Sequence, residues 1–324
     1  MADAEKTLVL GHTGLLGRAV VEALGPGCLV LGGERREREL APPGPRPAPG
    51  PDPPPPPAEA AASLARLVES LPTYGRDAAR AHAGIDLMRR GILELGPRLV
   101  VNCAGYTAVD RAESEPDLAR AVNAAGAGRV AEACARAGSA LVHLSTDFVF
   151  DGNSRRPYRE DDPPGPVNAY GRSKLEGERL VLAAHPGALV VRTAWLFGPG
   201  RADFVDKVLA QARAGGRLRV VEDQIGSPTY SRDLAAEVLA LADKGVSGVV
   251  HAANSGRASR LELARRALEL SGLDPELARP VASRELNLPA ARPAFAVLDT
   301  RRLARLAGGP PPTWLDALRR HLAA

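Results

Sequence analysis

Thr7-Leu-Val-Leu-Gly-His-Thr-Gly-Leu-Leu-Gly17 is the stretch that decides the fold. Thr7–Leu10 reads as an apolar strand, the turn after it carries glycines at positions 11, 14 and 17, and Leu15–Leu24 continues with helical spacing. Strand, glycine turn and helix in that order open a βαβ unit. Glycines there allow a tight turn and close approach of backbone to a pyrophosphate. The start of the helix adds free N–H groups and a partial positive charge. Gly11, Thr13, Gly14, Leu15, Leu16 and Gly17 are therefore the expected phosphate end of a dinucleotide site.

Outward from this stretch the chain alternates strand-like and helix-like segments. Cys28–Leu31, Leu99–Cys103, Ala140–Ser145 and Ala188–Arg192 read as strands, while Leu118–Ala137 and Asn168–Ala184 read as helices. Such alternation predicts an α/β fold with a doubly wound parallel sheet. After Trp195 the pattern loosens. Leu218–Val221 and Gly248–His251 look like strands, and Arg232–Ala242, Leu261–Ser271 and Trp314–Leu322 like helices. The expected organisation is a Rossmann domain over 1–194. Residues 195–324 would form mainly a smaller α/β substrate lobe, with some segments returning to the first domain. Gly33–Ala83 interrupts the rhythm, and Ala41–Pro57 alone holds eleven of the 29 prolines. That run cannot build helix or sheet interior, so about 38–82 is expected to be a Pro-rich, disordered insertion, with a short helix at Ala58–Ser70.

Composition removes several classes of function. No apolar run reaches the roughly 18 residues that a membrane span needs. The net charge of +4 is spread among acids, and no basic stripe or nucleic-acid motif is present, so no nucleic-acid partner is expected. The three cysteines, Cys28, Cys103 and Cys134, have neither metal-ligand spacing nor an even count, and no metal site is expected from them. Met1–Lys6 lacks the features of a secretory leader, which makes the cytoplasm the expected location.

After the second strand comes Gly32-Gly33-Glu34-Arg35-Arg36, where dinucleotide-binding folds place the residue that reads the adenosine ribose. Glu34 suits ribose hydroxyls. Arg35 or Arg36 suits an added phosphate, which tilts the reading toward NADPH over NADH.

Tyr170-Gly-Arg-Ser-Lys174 sets a tyrosine and a lysine four apart on an expected helix, hence on one face. With five tyrosines and four lysines in the chain, random placement gives only ~0.06 such pairs. Reducing a carbonyl requires an acid for the developing alkoxide. A phenol of ordinary pKa is a poor donor, and a lysine ammonium beside it is expected to stabilise the phenolate. The strand Leu141-Val-His-Leu-Ser-Thr-Asp147 ends in hydroxyls that can meet a substrate carbonyl at the carboxyl end of a sheet.

These motifs together resemble the extended short-chain dehydrogenases, and within them the dTDP-4-dehydrorhamnose reductase family. The matching segments are Val101–Glu113, Ser145–Gly152, Asn168–Glu178, Arg192–Gly198, Asp223–Thr229, Arg292-Pro and Leu298-Asp-Thr300. The resemblance implies a catalytic triad of Thr146, Tyr170 and Lys174. It implies cofactor contacts at the glycine loop, Asp86, Leu87, Ala104, Gly105 and Thr107, besides Tyr170 and Lys174. It implies a sugar pocket with Val109, Asp147, Phe148 and Trp195, the indole face packing on the sugar, and a nucleotide half with Gln224 and Arg292, Arg292 being the diphosphate partner. Phe148 stands where the family often has tyrosine, and Ala294-Phe-Ala296 replaces more polar residues. Some family members bind Mg²⁺ at a dimer interface through acidic residues that this sequence does not locate; a homodimer is the assembly this allows. The implied activity is NAD(P)H-dependent reduction of the C4 ketone of a nucleotide-linked 6-deoxy-4-ketohexose, most simply dTDP-4-dehydro-L-rhamnose. The alternatives are a ketoreductase for another nucleotide deoxysugar, or a non-catalytic NADP-binding regulatory subunit.

Overall fold

The computed structural model describes residues 7–25, 28–31 and 78–323. Arg35, the neighbouring Glu34 and Arg36, the proline run and the expected helix at Ala58–Ser70 lie outside the described residues.

Among the described residues six strands make the central sheet: β1 (Thr7–Leu10), β2 (Leu29–Leu31), β3 (Leu99–Asn102), β4 (Ala140–Thr146), β5 (Leu189–Thr193) and β6 (Gly248–His251). Their order is β2-β1-β3-β4-β5-β6, and every pairing is parallel. The chain moves from β1 to β2 on one side, then crosses to β3 on the other. This switch opens a crevice beyond the carboxyl ends of β1 and β3, the place where such sheets bind ligands.

Side chains alternate across the sheet, and both faces are apolar, which is why the strands read as continuous hydrophobic runs. Val9, Val101, Val142 and Val191 pack with Leu16 and Val20 of α1 (Leu15–Leu24) and with Leu234 and Val238 of a later helix, Ser231–Asp243. Leu8, Leu10, Val100 and Val190 turn the other way. They meet Met88 and Ile92 of α2 (Ala78–Leu95), Val130 and Cys134 of Ala127–Ala137, and Val181 of Ala169–Ala184.

Two differences from the sequence reading stand out. Helix α2 begins at Ala78, inside the stretch read as an interruption. The expected helix Leu118–Ala137 is a succession: α3 (Arg111–Ser114) and α4 (Pro116–Arg120) lead into a π-helical turn at Ala121–Gly126, and α5 (Ala127–Ala137) follows. Single π turns inside helices recur at functional sites, since the extra residue redirects a side chain.

The second cluster of buried residues draws Val205 and Leu209 from α7 (Phe204–Arg213) and Leu263 and Leu268 from α9 (Arg260–Leu270). Trp314 and Leu318 of α11 (Trp314–Leu322) complete it. Between α5 and α7 in the chain lies α6 (Ala169–Ala184); α8 is Ser231–Asp243 and α10 is Arg301–Ala307. Three two-stranded sheets surround this cluster. Polar caps fix the helix starts: Asp203 accepts from Asp206 N, Ser259 from Glu262 N and Thr313 from Asp316 N. No described helix is long and apolar enough to cross a membrane.

Candidate active site

Gly11 closes β1 with φ of 73°, and a Cβ built on it would stand 2.7 Å from the Ala104 amide nitrogen at the end of β3. A Cβ on Gly17 would meet the Gly11 carbonyl oxygen at 2.3 Å. Any side chain at either position collapses the turn against the crevice. Gly14, the N-cap of α1, offers no side-chain cap, so the first amides of the helix keep their hydrogen-bonding capacity for a ligand. The tight glycine turn and uncapped helix start fit a dinucleotide pyrophosphate, and Gly11, Thr13, Gly14, Leu15, Leu16 and Gly17 all lie on that turn or the first turn of α1.

Ala104, Gly105 and Thr107 follow β3 directly and form the facing lip. Asn123 on the π turn pins this loop, its Oδ1 accepting from Tyr106 N at 2.8 Å and its Nδ2 donating to Tyr106 O at 3.0 Å. The same Nδ2 reaches Ser173 Oγ on α6 at 3.0 Å, so one buried amide ties the cofactor lip to the helix of Tyr170 and Lys174. The sequence reading missed Asn123. Its signal was there, a lone polar residue among Ala121-Val-Asn-Ala-Ala. Asp86 and Leu87 are placed otherwise, in the middle of α2, where Asp86 pairs with Arg129 at 3.4 Å. No described contact joins either to the glycine cradle.

Thr146, Tyr170 and Lys174 do come together. Thr146 ends β4, accepts from Phe148 N at 3.2 Å and donates to Asp147 Oδ1 at 2.9 Å. Tyr170 hydrogen-bonds Thr146 through its hydroxyl, and Phe148 packs edge-on against its ring with centroids 5.6 Å apart. Asn168 caps α6 by accepting from Gly171 N at 2.7 Å, which sets the direction in which Tyr170 leaves the helix. Lys174 is buried, and its Nζ donates to the Leu144 carbonyl of β4 at 2.5 Å.

The electrostatics correct one expectation. Burial, reinforced by the Asp147 charge, pushes the Tyr170 phenol up to about 12, and the Thr146 hydrogen bond only partly opposes this. Lys174 does not contribute to lowering it. Burial brings Lys174 itself down to about 8, against the pull of Glu178 one turn further on. Asp147, 2% exposed, is raised by burial to about 7, with Thr146 and Arg260 pulling the other way. Its Oδ2 has no partner among the described residues.

Beside this cluster opens a cleft of about 210 Å³. Val109, Asp147, Phe148, Trp195, Gln224 and Arg292 all line it. Gln224 donates to Ser283 Oγ at 2.9 Å. Arg292 is held by Asp110, with Nη1 and Nη2 each 2.6 Å from a carboxylate oxygen. Trp195 adopts φ of 47°, in the left-handed region that bulky residues avoid. Arg260, which the sequence reading passed over, lays its guanidinium on that indole with Cζ 3.7 Å from the ring centroid. The face expected to pack on a sugar is thus already covered. Among the described residues no group of three His, Cys, Asp or Glu side chains is disposed to hold a metal ion.

A parallel sheet with a pyrophosphate cradle, a hydroxyl at the end of β4 and a phenol and ammonium on the adjacent helix α6 define an α/β oxidoreductase that uses a nicotinamide dinucleotide. Comparison with known proteins narrows the class. The family model described as the RmlD substrate binding domain matches residues 61–324. A dTDP-4-dehydrorhamnose reductase from Mycolicibacterium smegmatis is 49% identical over 229 residues, 70% of each chain. A probable dTDP-4,6-dihydroxy-2-methyloxan-3-one 4-ketoreductase from Streptomyces antibioticus is 41% identical over 75% of this chain and 84% of its own. Among solved structures, dTDP-4-dehydrorhamnose reductase from Bacillus anthracis in complex with NADP superimposes with a TM-score of 0.78. It is 30% identical and covers 98% of both chains. The chain belongs to the dTDP-4-dehydrorhamnose reductase family and is an NAD(P)-dependent oxidoreductase of that type.

Proposed function

We propose that the enzyme reduces the C4 ketone of dTDP-4-dehydro-L-rhamnose to give dTDP-L-rhamnose, with NADPH as the reductant. The observation that carries this reading is the junction of Thr146, Tyr170 and Lys174 between the glycine cradle and the cleft. The bound nicotinamide supplies hydride to the ketone carbon. Tyr170 gives its proton to the alkoxide oxygen, and the phenolate is reprotonated from water. Thr146 would turn its single hydroxyl proton from Asp147 to the substrate oxygen, beside the phenol. Lys174, on the same helix as Tyr170, would hold a nicotinamide ribose hydroxyl through its ammonium.

A Tyr170 pKa near 12 suits this direction of reaction. The phenol is fully protonated at neutral pH, and an alkoxide is a much stronger base than a phenolate, so transfer is downhill. Oxidation of the alcohol would need the phenolate, which this environment disfavours.

A second reading keeps the chemistry and changes the sugar, on the strength of the relative named as a 4-ketoreductase of a different dTDP-ketosugar. A purely regulatory NADP-binding role has no use for the buried Lys174 ammonium beside Thr146 and Tyr170. Incubation with dTDP-4-dehydro-L-rhamnose and either NADH or NADPH, with product identification, tests the proposal. Oxidation of NADPH with dTDP-L-rhamnose as product supports it. Turnover of another dTDP-ketosugar alone moves the assignment to the second reading, and NADP binding without turnover of any ketosugar removes the catalytic role.

A further inference from the structure

The substrate cleft holds two guanidinium groups in different states. Arg292 is engaged, its fork matched to the two Asp110 oxygens at 2.6 Å each and Nη1 also on the Ala290 carbonyl. Planar donors are well satisfied by such a pairing. Arg260 has no counterpart. Its charged neighbours are Asp147, which attracts it, and Arg292, which repels it, and burial draws its pKa down to about 10. No described residue accepts a hydrogen bond from its guanidinium.

Trp195 acts as a platform for this group. A Cζ distance of 3.7 Å from the ring centroid is reached only over a ring face. The indole also rests on Gly226, where a Cβ would stand 2.5 Å from Cε2, 2.7 Å from Cζ2 and 2.8 Å from Nε1. Cε2 sits in the notch between the other two atoms, so the shortest distance to it means approach from above the ring plane. A Cβ on Arg260's side would collide with the guanidinium as closely as with the ring, which puts the two on opposite faces. Trp195 is therefore sandwiched. A substrate entering the cleft meets a flat, oriented guanidinium in place of a bare indole.

We propose that Arg260 reads the diphosphate of the substrate, with Trp195 holding its fork flat, while Arg292 shapes the cleft by gripping Asp110. This rests on the nucleotide-sugar reading above. A guanidinium carries five N–H donors, and the half-buried Arg260 fork, lining the cleft with no acceptor among the described residues, suits an anion with paired oxygens. Asp147 attracts this guanidinium without pairing with it: no hydrogen bond joins the two among the described residues, and Asp147 Oδ1 already accepts from Thr146. Arginine matches phosphate oxygens in pairs, and stacking on an aromatic face preorganises the fork.

The test uses thymidine 5′-diphosphate and thymidine as probes on the full-length protein by calorimetry, with NADPH titration as the check on folding. Arg260→Gln is expected to weaken thymidine 5′-diphosphate ~10- to 100-fold, as for the loss of a charge-assisted pair. Thymidine and NADPH binding stay at wild-type levels, and Arg292→Gln costs the diphosphate less than Arg260→Gln does. Unchanged diphosphate affinity in Arg260→Gln with NADPH binding intact overturns the assignment. Should Arg260→Gln lose NADPH binding, Arg260→Met, which keeps an apolar stem on the indole, carries the same comparison. A wild-type protein that binds no thymidine 5′-diphosphate overturns the nucleotide-sugar reading as well as the role of Arg260.

Discussion

The Thr146 hydroxyl donates to Asp147 Oδ1 at 2.9 Å while hydrogen-bonding the Tyr170 side chain. Phenol, hydroxyl and buried carboxyl thus form one line from the reacting position into the protein. The charge on any member is felt by the others, and each prediction below follows from that coupling or from the packing that holds it.

Asp147 has a folded pKa of about 7, raised above its ordinary value by burial. A carboxyl raised in this sense contributes stability that is fully present below its unfolded pKa and is lost as pH rises through the folded one. Asp147→Asn cannot ionise, so its stability relative to wild type is expected to improve between pH 5 and pH 9, by on the order of 1–3 kcal/mol. Urea unfolding at the two pH values measures the change. An equal difference at both would show that the carboxyl does not titrate in this range.

Lys174 is depressed to about 8 by burial, the opposite displacement from that of Asp147. The stability such a lysine contributes is present above its unfolded pKa and lost as pH falls through the folded one, so at pH 7 the cation is a burden on the cofactor-free fold. Lys174→Met is expected to raise the melting temperature of that form at pH 7 while activity and NADPH affinity fall. Thermal melts with and without NADPH check both halves. A destabilised variant with unaltered NADPH affinity would remove the ribose role and the burial argument together.

Glu178 and Arg192 form a buried pair at 2.8 and 2.7 Å, and Ser145 Oγ donates to the same carboxylate at 2.5 Å. Removing one partner of a buried pair leaves the other charge stranded. Glu178→Ala is expected to lose ~3–5 kcal/mol by denaturant unfolding. A loss below ~1 kcal/mol would mean that water reaches Arg192 in the variant.

Much of this was legible in the chain itself, for physical reasons. The glycines at 11, 14 and 17, the hydroxyl end of β4 and the four-residue spacing of Tyr170 and Lys174 are local signals, and each fell where the periodicity placed it. Helix α2 carries its own signal in Ile85, Met88 and Ile92, which recur at helical intervals and are all buried; the proline-rich stretch upstream obscures only where it starts. Asn123 needs a π turn to reach both the cofactor lip and α6, and no short-range spacing announces one. Arg260 meets Trp195 only because α9 folds back across the cleft, a contact spanning 65 positions. The raised pKa of Tyr170 was missed for a related reason: spacing sets the lysine beside the tyrosine, but only the fold shows Nζ turned to the Leu144 carbonyl.

The central claim is that Tyr170 is the proton donor to the reduced ketone. Its most direct test is NADPH oxidation with dTDP-4-dehydro-L-rhamnose by wild type and Tyr170→Phe, alongside NADPH titration of both. Turnover is expected to fall at least ~100-fold in the variant, as for loss of a general acid, with NADPH affinity nearly unchanged. Near-wild-type turnover by Tyr170→Phe would contradict the account.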